Sequence, residues 1–267
     1  MMKNENYIRF AKEIREKVLE MIHRAKASHI GGAFSMADIL SVLYEGVLNI
    51  KPDEPQWENR DRFILSKGHA CTALYAALAL KGFFAKEELA TYGQDDVRLM
   101  SHTNHKVPGV ELSTGSLGHG LSVACGVAVA AKVKKKNWKT YCLLSDGELD
   151  EGSNWESLLF IAHHKLTNLI TIIDYNKIQA LGNTNEVMNL EPLTTKFLAF
   201  NLTPIEIDGH NHEEIEKAFL TKTDNPKVII AHTIKGKGVD FMENSLLWHY
   251  RNPDDNQFVE SMKQLSK

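Results

Sequence analysis

Leu143-Leu144-Ser145-Asp146-Gly147-Glu148-Leu149-Asp150-Glu151-Gly152-Ser153-Asn154-Trp155-Glu156, taken with Asp174-Tyr175-Asn176-Lys177-Ile178, decides how this chain folds. The run from Thr140 to Leu144 stops at Ser-Asp-Gly, as a buried strand does on entering a tight turn. Asn154 to His164 then has the length and apolar spacing of a helix, and Leu169 to Ile173 is a second β-like run. Two strand ends therefore each deliver an oxygen ligand, Asp146 and Asn176, close to a helix start. A carboxylate, an amide oxygen and a backbone carbonyl suit a hard divalent cation, whose remaining positions fall to phosphate oxygens and water. Asp-Gly alone is first of all a turn dipeptide. The partner Asn176, about thirty residues on, makes the signal specific, because one strand–helix–strand passage brings both side chains to neighbouring strand ends.

The same alternation extends in both directions. Ile8 to Ala27 is spaced as a helix, with Gly31-Gly32 expected to end the pattern, and Ser35 reads as the cap of a second helix over Met36 to Leu48. Arg62 to Leu65 is a short strand running into Ser66-Lys67-Gly68-His69, followed by an apolar helix from Ala70 to Leu80 and a short helical piece from Phe84 to Tyr92. Gly93 to Gly115 is a long polar loop, of the kind that is functional or mobile. Ser116-Leu-Gly-His-Gly120 opens an Ala/Val-rich helix to Val133. Beyond Asn176 come a weak element at Phe197 to Phe200, a strand at Ile205 to Ile207, a helix from Glu213 to Leu220, a strand from Val228 to Thr233 and a short final helix. Strands alternating with helices predict an α/β fold, one domain over 1–267, with a mainly parallel sheet covered by helices on both faces. Ligands in such sheets bind beyond the carboxyl ends of the strands, where the polar turns fall.

Composition narrows the function. With 31 basic and 34 acidic residues the net charge is −3, which provides no field for nucleic acid or an anionic membrane. Lys134-Lys135-Lys136 follows an apolar helix and reads as its solvated end. No run approaches the ~20 apolar residues of a membrane span. Cys71, Cys125 and Cys142 sit in apolar contexts without Cys-x-x-Cys spacing, as buried thiols of a reducing compartment do, so a cytoplasmic location is expected.

Among the histidines, His29, His69, His102 and His249 lie at element ends or in loops on the expected ligand side, which favours proton handling or hydrogen bonding to a polyhydroxylated substrate over metal ligation. His163-His164 read as ordinary helix-end residues. Glu151 and Glu156 flank a helix start, where the helix dipole alone favours acids. Gly-x-Ser-x-Gly, Walker and Gly-x-Gly-x-x-Gly patterns are absent.

Ser145-Asp146-Gly147 with Asp174-x-Asn176 resembles the thiamine diphosphate motif, usually Gly-Asp-Gly followed by Asn. Ser28-His-x-Gly, Leu65-Ser-Lys-Gly-His69-Ala, Pro108-Gly-Val-Glu-x-Ser-Thr-Gly115-Ser-Leu-Gly, Asp146 to Glu156 and Lys235-Gly-Lys-Gly stand in the order seen in the N-terminal half of transketolase, from about His29 to His249. The resemblance implies that Asp146, Asn176 and the Ile178 carbonyl bind Mg²⁺, or Ca²⁺ in some members. It implies that Ser145, Gly147 and His69 lie at the diphosphate, and that Gly115, Ser116 and Leu117 face the aminopyrimidine. His29, His69, His102 and His249 would act on sugar hydroxyls, the sugar carbonyl and protons. Glu151 and Glu156 would link two active sites across a subunit interface.

The chain departs from the family in four respects. Ser145 replaces a glycine, Trp248-His249-Tyr250-Arg251 stands where His-Gly is common, and His119 replaces a common Gln. The pyrimidine-binding and C-terminal domains of transketolase are also absent from the sequence. The resemblance therefore implies a thiamine diphosphate- and Mg²⁺-dependent transferase of two-carbon ketol units from a ketose to an aldose. This chain would be the N-terminal subunit, active only with a separate C-terminal subunit, most simply as α2β2. The sugars stay open, since the absent half contributes much of the substrate site. Related alternatives are a 2-oxo-acid dehydrogenase α subunit or a deoxyxylulose-phosphate-synthase-like fragment. A non-catalytic binding or regulatory subunit is the alternative from another class.

Overall fold

The computed structural model describes residues 2–266. Five parallel strands, β1 (Arg62–Leu65), β2 (Thr140–Ser145), β3 (Leu169–Tyr175), β4 (Thr203–Asp208) and β5 (Lys227–His232), form one sheet in the order β1-β2-β3-β5-β4. The helices are α1 (Met2–Ala25), α2 (Ile30–Ser35), α3 (Ala37–Val42), α4 (Cys71–Leu80), α5 (Gly120–Val133), α6 (Gly152–His163), α7 (Thr184–Val187), α8 (Leu193–Ala199), α9 (His212–Leu220) and α10 (Asp255–Leu265).

The inner strands β2, β3 and β5 are buried almost without interruption because both faces are covered, whereas edge strand β4 exposes Glu206 and Asp208. Side chains alternate between two cores, as a period of two requires. In β2, Tyr141 and Leu143 enter the core made with α1, α3, α4 and α9, whereas Cys142 and Leu144 enter the core made with α5, α6 and α8. The three cysteines are buried and unpaired, filling space as expected. α10 returns to α1, where the rings of His23 and Phe258 stack at 4.3 Å. Residues 93–118 contain no helix or strand, in keeping with the expected long loop.

Two expectations near the N-terminus fail. Gly31 and Gly32 do not end a helix but lie inside α2, and the break falls before them, at His29 with its left-handed φ of 73°. Gly31 answers a tertiary need, because a Cβ there would stand 2.9 Å from Lys235 Cγ and 3.4 Å from the Trp248 carbonyl. Ser35 is not a cap. It closes α2, and its hydroxyl donates to Asp174 Oδ2 at 2.6 Å, while the expected single helix over 36–48 is α3 continued by a wider turn over Leu43–Val47.

A buried ion pair closes the sheet at its carboxyl edge. Lys67, just past β1, is 1 % exposed and donates to Asp174 Oδ2 of β3 at 2.5 Å; Thr233, just past β5, donates to the other carboxylate oxygen. Removing one member of such a pair strands the other charge away from water. Asp174→Asn should therefore lower the unfolding free energy by about 3–5 kcal/mol in a urea titration; a loss below about 1 kcal/mol would mean that Lys67 is hydrated or neutral.

Candidate functional site

The turns after β1, β2, β3 and β5 converge on one cavity of about 280 Å³. β2 and β3 are neighbours in register, with Ser145 opposite Asp174, so the strand ends bring Asp146 and Asn176 together as their spacing predicts. Asp146 Oδ1 accepts from Gly147 N (2.7 Å) and Oδ2 from Lys177 N (2.6 Å). Asn176 Oδ1 accepts from Ile178 N (3.1 Å), and its amide donates to Asp174 Oδ2 (3.3 Å), which fixes the flip of the side chain. Burial, with Asp174 nearby, raises the Asp146 pKa to about 6 against the two backbone donors.

Lys235 enters the cavity from the loop after β5. Its ammonium donates to the Ile178 carbonyl (2.9 Å) and lies 2.9 Å from His249 Nδ1. It is 2 % exposed, and among the described residues no carboxylate forms an ion pair with it. Burial lowers its pKa to about 8, the Asp146 and Asp174 charges only partly opposing this. Lys67 is the other buried ammonium of the cavity, but Asp174 neutralises it. Burial works against ionisation of Asp174, and the Lys67 charge with the Ser35 and Thr233 hydroxyls outweighs it, holding that carboxyl below its usual range.

The four histidines form a cluster. His29 stands 5.1 Å from both the His69 and His249 rings and 6.4 Å from that of His102. Burial, then the neighbouring positive groups, lowers His29 to about 4 and His249 to about 3, and it takes His69 well below the ordinary imidazole value. These three rings are neutral near pH 7, so each offers one donor and one acceptor. The His29 backbone N–H donates to the His249 carbonyl (3.0 Å), which locks the two turns together. Tyr250 OH reaches across to the Ala180 carbonyl (2.7 Å) at the rim.

His29, His69, His102, His249, Gly115, Leu117, Ser145, Asp146, Gly147, Asn176 and Ile178 all line the cavity. Ser116 does not, and is exposed; Glu151 and Glu156 are exposed at the start and second turn of α6. The Ser145 hydroxyl accepts from Glu148 N (3.2 Å), so the residue that replaces a glycine braces its own turn. Gly32, Lys67, Gln179, Ala180 and Lys235 also line the cavity; the sequence marks Gly32 only as a helix stop and places Lys67 and Lys235 in motif stretches without a role of their own. Glu148, fully buried beneath it, was likewise missed. Its Oε1 accepts from Ser66 and from Gly118 N (2.9 Å) and its Oε2 from Ser145 N (3.3 Å), tying the 115–118 loop to two strand ends. The local signals for the lysines are their place in polar turns at strand ends and in the Leu65–Ala70 and Lys235–Gly238 motif stretches. Among the described residues no group of three His, Cys, Asp or Glu side chains is disposed to hold a metal, and no helix is long and apolar enough to cross a membrane.

The model of the transketolase thiamine diphosphate binding domain matches residues 7–264. The chain is 41 % identical over 256 residues to an apulose-4-phosphate transketolase subunit of Phocaeicola vulgatus, covering 95 % of this chain and 91 % of that one. It is 40 % identical over 261 residues to a 6-deoxy-6-sulfo-D-fructose transketolase subunit of a Clostridium species, covering 96 % and 95 % of the two chains. The crystal structure of transketolase from Campylobacter jejuni superposes on the whole chain with a TM-score of 0.91 and 32 % identity, and this chain spans 43 % of it. A parallel sheet whose strand ends hold Asp146 and Asn176 over one cavity thus meets a match along nearly its full length, and the chain belongs to the transketolase family, of which it carries the thiamine diphosphate-binding domain.

Proposed function

We propose that this chain is the diphosphate-binding subunit of a two-subunit cytoplasmic transketolase that moves a two-carbon ketol unit from a ketose to an aldose. The observation that carries the reading is one cavity holding three hard oxygen donors, Asp146, Asn176 and the Ile178 carbonyl, beside the buried and un-neutralised ammonium of Lys235. A diphosphate with a divalent cation fits that set. The oxygens suit Mg²⁺ or Ca²⁺, and the anion supplies the counter-charge that Lys235 lacks. The volume, about 280 Å³, lies at the lower end of small-molecule sites. Two relatives of matching length are named as transketolase subunits, which supports a site completed by a second chain.

In this reading Asp146, Asn176 and Ile178 hold the cation, and Lys235, His69 and Gly147 meet the diphosphate. A side chain at Gly147 would come within 3.0 Å of Gln179, so the backbone is left bare at this close approach. Gly115 and Leu117 face the aminopyrimidine, with Ser116 turned outward beside them. When bound, thiamine diphosphate supplies the carbanion chemistry of carbon–carbon cleavage and formation. His29, His102 and His249, at the mouth, orient sugar hydroxyls, and the neutral rings of His29 and His249 take or give a proton there. The C-terminal subunit contributes the pyrimidine-binding half. Val123 and Val133 of α5 and Leu159 and Phe160 of α6 are exposed in the layer that carries Glu151 and Glu156. We assign that face to contact between two copies of the chain in an α2β2 assembly, with the two acids linking the sites.

Ketol transfer is expected only when both subunits are mixed; turnover by this chain purified alone would overturn the two-subunit reading. In the assembled complex, Asp146→Ala should weaken thiamine diphosphate binding by at least the ~10–100-fold that loss of an outer-sphere partner of a metal ligand costs. Unchanged affinity in calorimetry would remove the cation assignment. For the ligand-free chain, the depressed pKa of His29 means that the unfolded state takes up the proton first as the pH falls. His29 therefore contributes stability that is present above about pH 6.5 and lost as the pH falls through about 4. Its imidazole NMR signals should stay those of a neutral ring down to about pH 5, and a midpoint near 6.5 would show it hydrated instead.

A further inference from the structure

The loop that brings Lys235 into the cavity is held at several points, among them the Thr233 N–H on the Tyr175 carbonyl (3.2 Å). Thr233 Oγ1 donates to Asp174, Ile234 N donates to His210 Nε2 (2.8 Å), Lys235 O accepts from Asn244 N (2.9 Å) and Gly236 N donates to Gly31 O (3.0 Å). The Ile234 contact differs in kind, because an imidazole nitrogen accepts only when the proton sits on the other nitrogen.

The surroundings of His210 decide where that proton is. Nδ1 lies 2.7 Å from Asp38 Oδ2. Asp38, on α3, is 5 % exposed and also accepts from Arg15 Nη2 of α1 (2.5 Å) and from His212 Nε2 at the start of α9 (3.0 Å). Burial opposes its ionisation, but the Arg15 guanidinium and the two imidazole contacts hold the carboxyl well below the usual carboxylate range. An ionised carboxylate can only accept, so the shared proton belongs to His210 Nδ1. Nε2 is then a lone pair aimed at the Ile234 N–H. The ring braces the loop against a carboxylate fixed by three helices. It does not line the cavity that holds Lys235; it borders an adjoining polar cleft with Thr233, Ile234 and Lys237, and Asn176 and Ile178 line both.

We infer that His210 is a positioning residue for the diphosphate site. As the neutral Nδ1–H tautomer it transmits the fixed position of Asp38 to the backbone of Ile234, and so places the Lys235 ammonium one residue later. This rests on the reading of Lys235 as a diphosphate contact. Without the acceptor, the Ile234 N–H is stranded and the lysine loses the tether nearest before it in the chain, although no group that touches the ligand has changed.

Two substitutions separate the ends of the brace. In His210→Gln the side-chain oxygen can reach the Ile234 N–H. In His210→Asn the amide can still donate to Asp38 but leaves nothing at the Nε2 position. In the complete two-subunit enzyme with saturating Mg²⁺, His210→Asn should weaken thiamine diphosphate binding, and the inhibition constant of inorganic diphosphate, about tenfold, with His210→Gln within about threefold of wild type. The KM for the ketose donor at saturating cofactor should stay unchanged in both. Far-UV circular dichroism and a thermal melt establish that both variants are folded.

The inference is overturned if His210→Asn binds as tightly as wild type. It is equally overturned if Gln and Asn lose affinity alike, since the ring would then serve only as packing. Asp146→Ala, run beside them, keeps the two readings apart. Should it lose the cofactor while His210→Asn does not, the brace alone is wrong; should neither lose it, the diphosphate site itself is misassigned.

Discussion

Lys67 and Asp174 face each other beneath the cleft with almost no access to water, and the arrangement of the site follows from how that carboxylate is shared. One oxygen takes the ammonium, the Ser35 hydroxyl and the Asn176 amide; the other takes the Thr233 hydroxyl. Through those contacts, the segments after β1, β3 and β5 and the end of α2 meet at one point. A buried pair of this kind contributes little net stability compared with apolar packing. Its effect here is to fix geometry. Asn176 presents its oxygen to the cleft because its nitrogen is committed to Asp174, and the loop bearing Lys235 starts from a residue bonded to the same group.

The charges of the cleft suit a guest that carries both signs. Asp146 is raised toward pH 6 and Lys235 lowered toward 8, both mainly by burial, so each is less willing to carry its charge than it would be in water. A cation on the first and an anion on the second reverse both penalties together. The histidines are treated differently, because burial and their positive neighbours keep His29, His69 and His249 neutral, and these three rings add no charge of their own to the cleft.

What could be read from the sequence depended on how local the cause was. The strands, the parallel α/β plan and the meeting of Asp146 with Asn176 follow from apolar runs that end in polar turns, a pattern contained within a few residues. The histidine cluster was legible for the same reason, each member standing beside a turn. Glu148, Asp174, Lys67 and Lys235 all stand inside the motif stretches, but their contacts are with partners between roughly thirty and more than a hundred positions away, which those stretches do not reveal. Gly31-Gly32 misled outright. Two glycines look like a stop, yet both lie inside a helix, and Gly31 is required there because the Lys235 side chain passes where a Cβ would stand. Ser35 looked like a cap for similar reasons, and its hydroxyl is spent on a carboxylate in β3 instead.

The cavity draws on residues from His29 to His249, and its last wall arrives with the turn that follows the fifth strand. β5 enters the sheet between β3 and β4, so the sheet cannot be completed in the order in which the chain is made. A ligand stabilises only states that can bind it. A nascent chain that has just passed β3 already contains Asp146 and Asn176 but has neither Lys235 nor His249. In the proposed site, a cofactor that meets Lys235 and His249 binds only once both have been made, so it stabilises the finished domain and not the states that precede them.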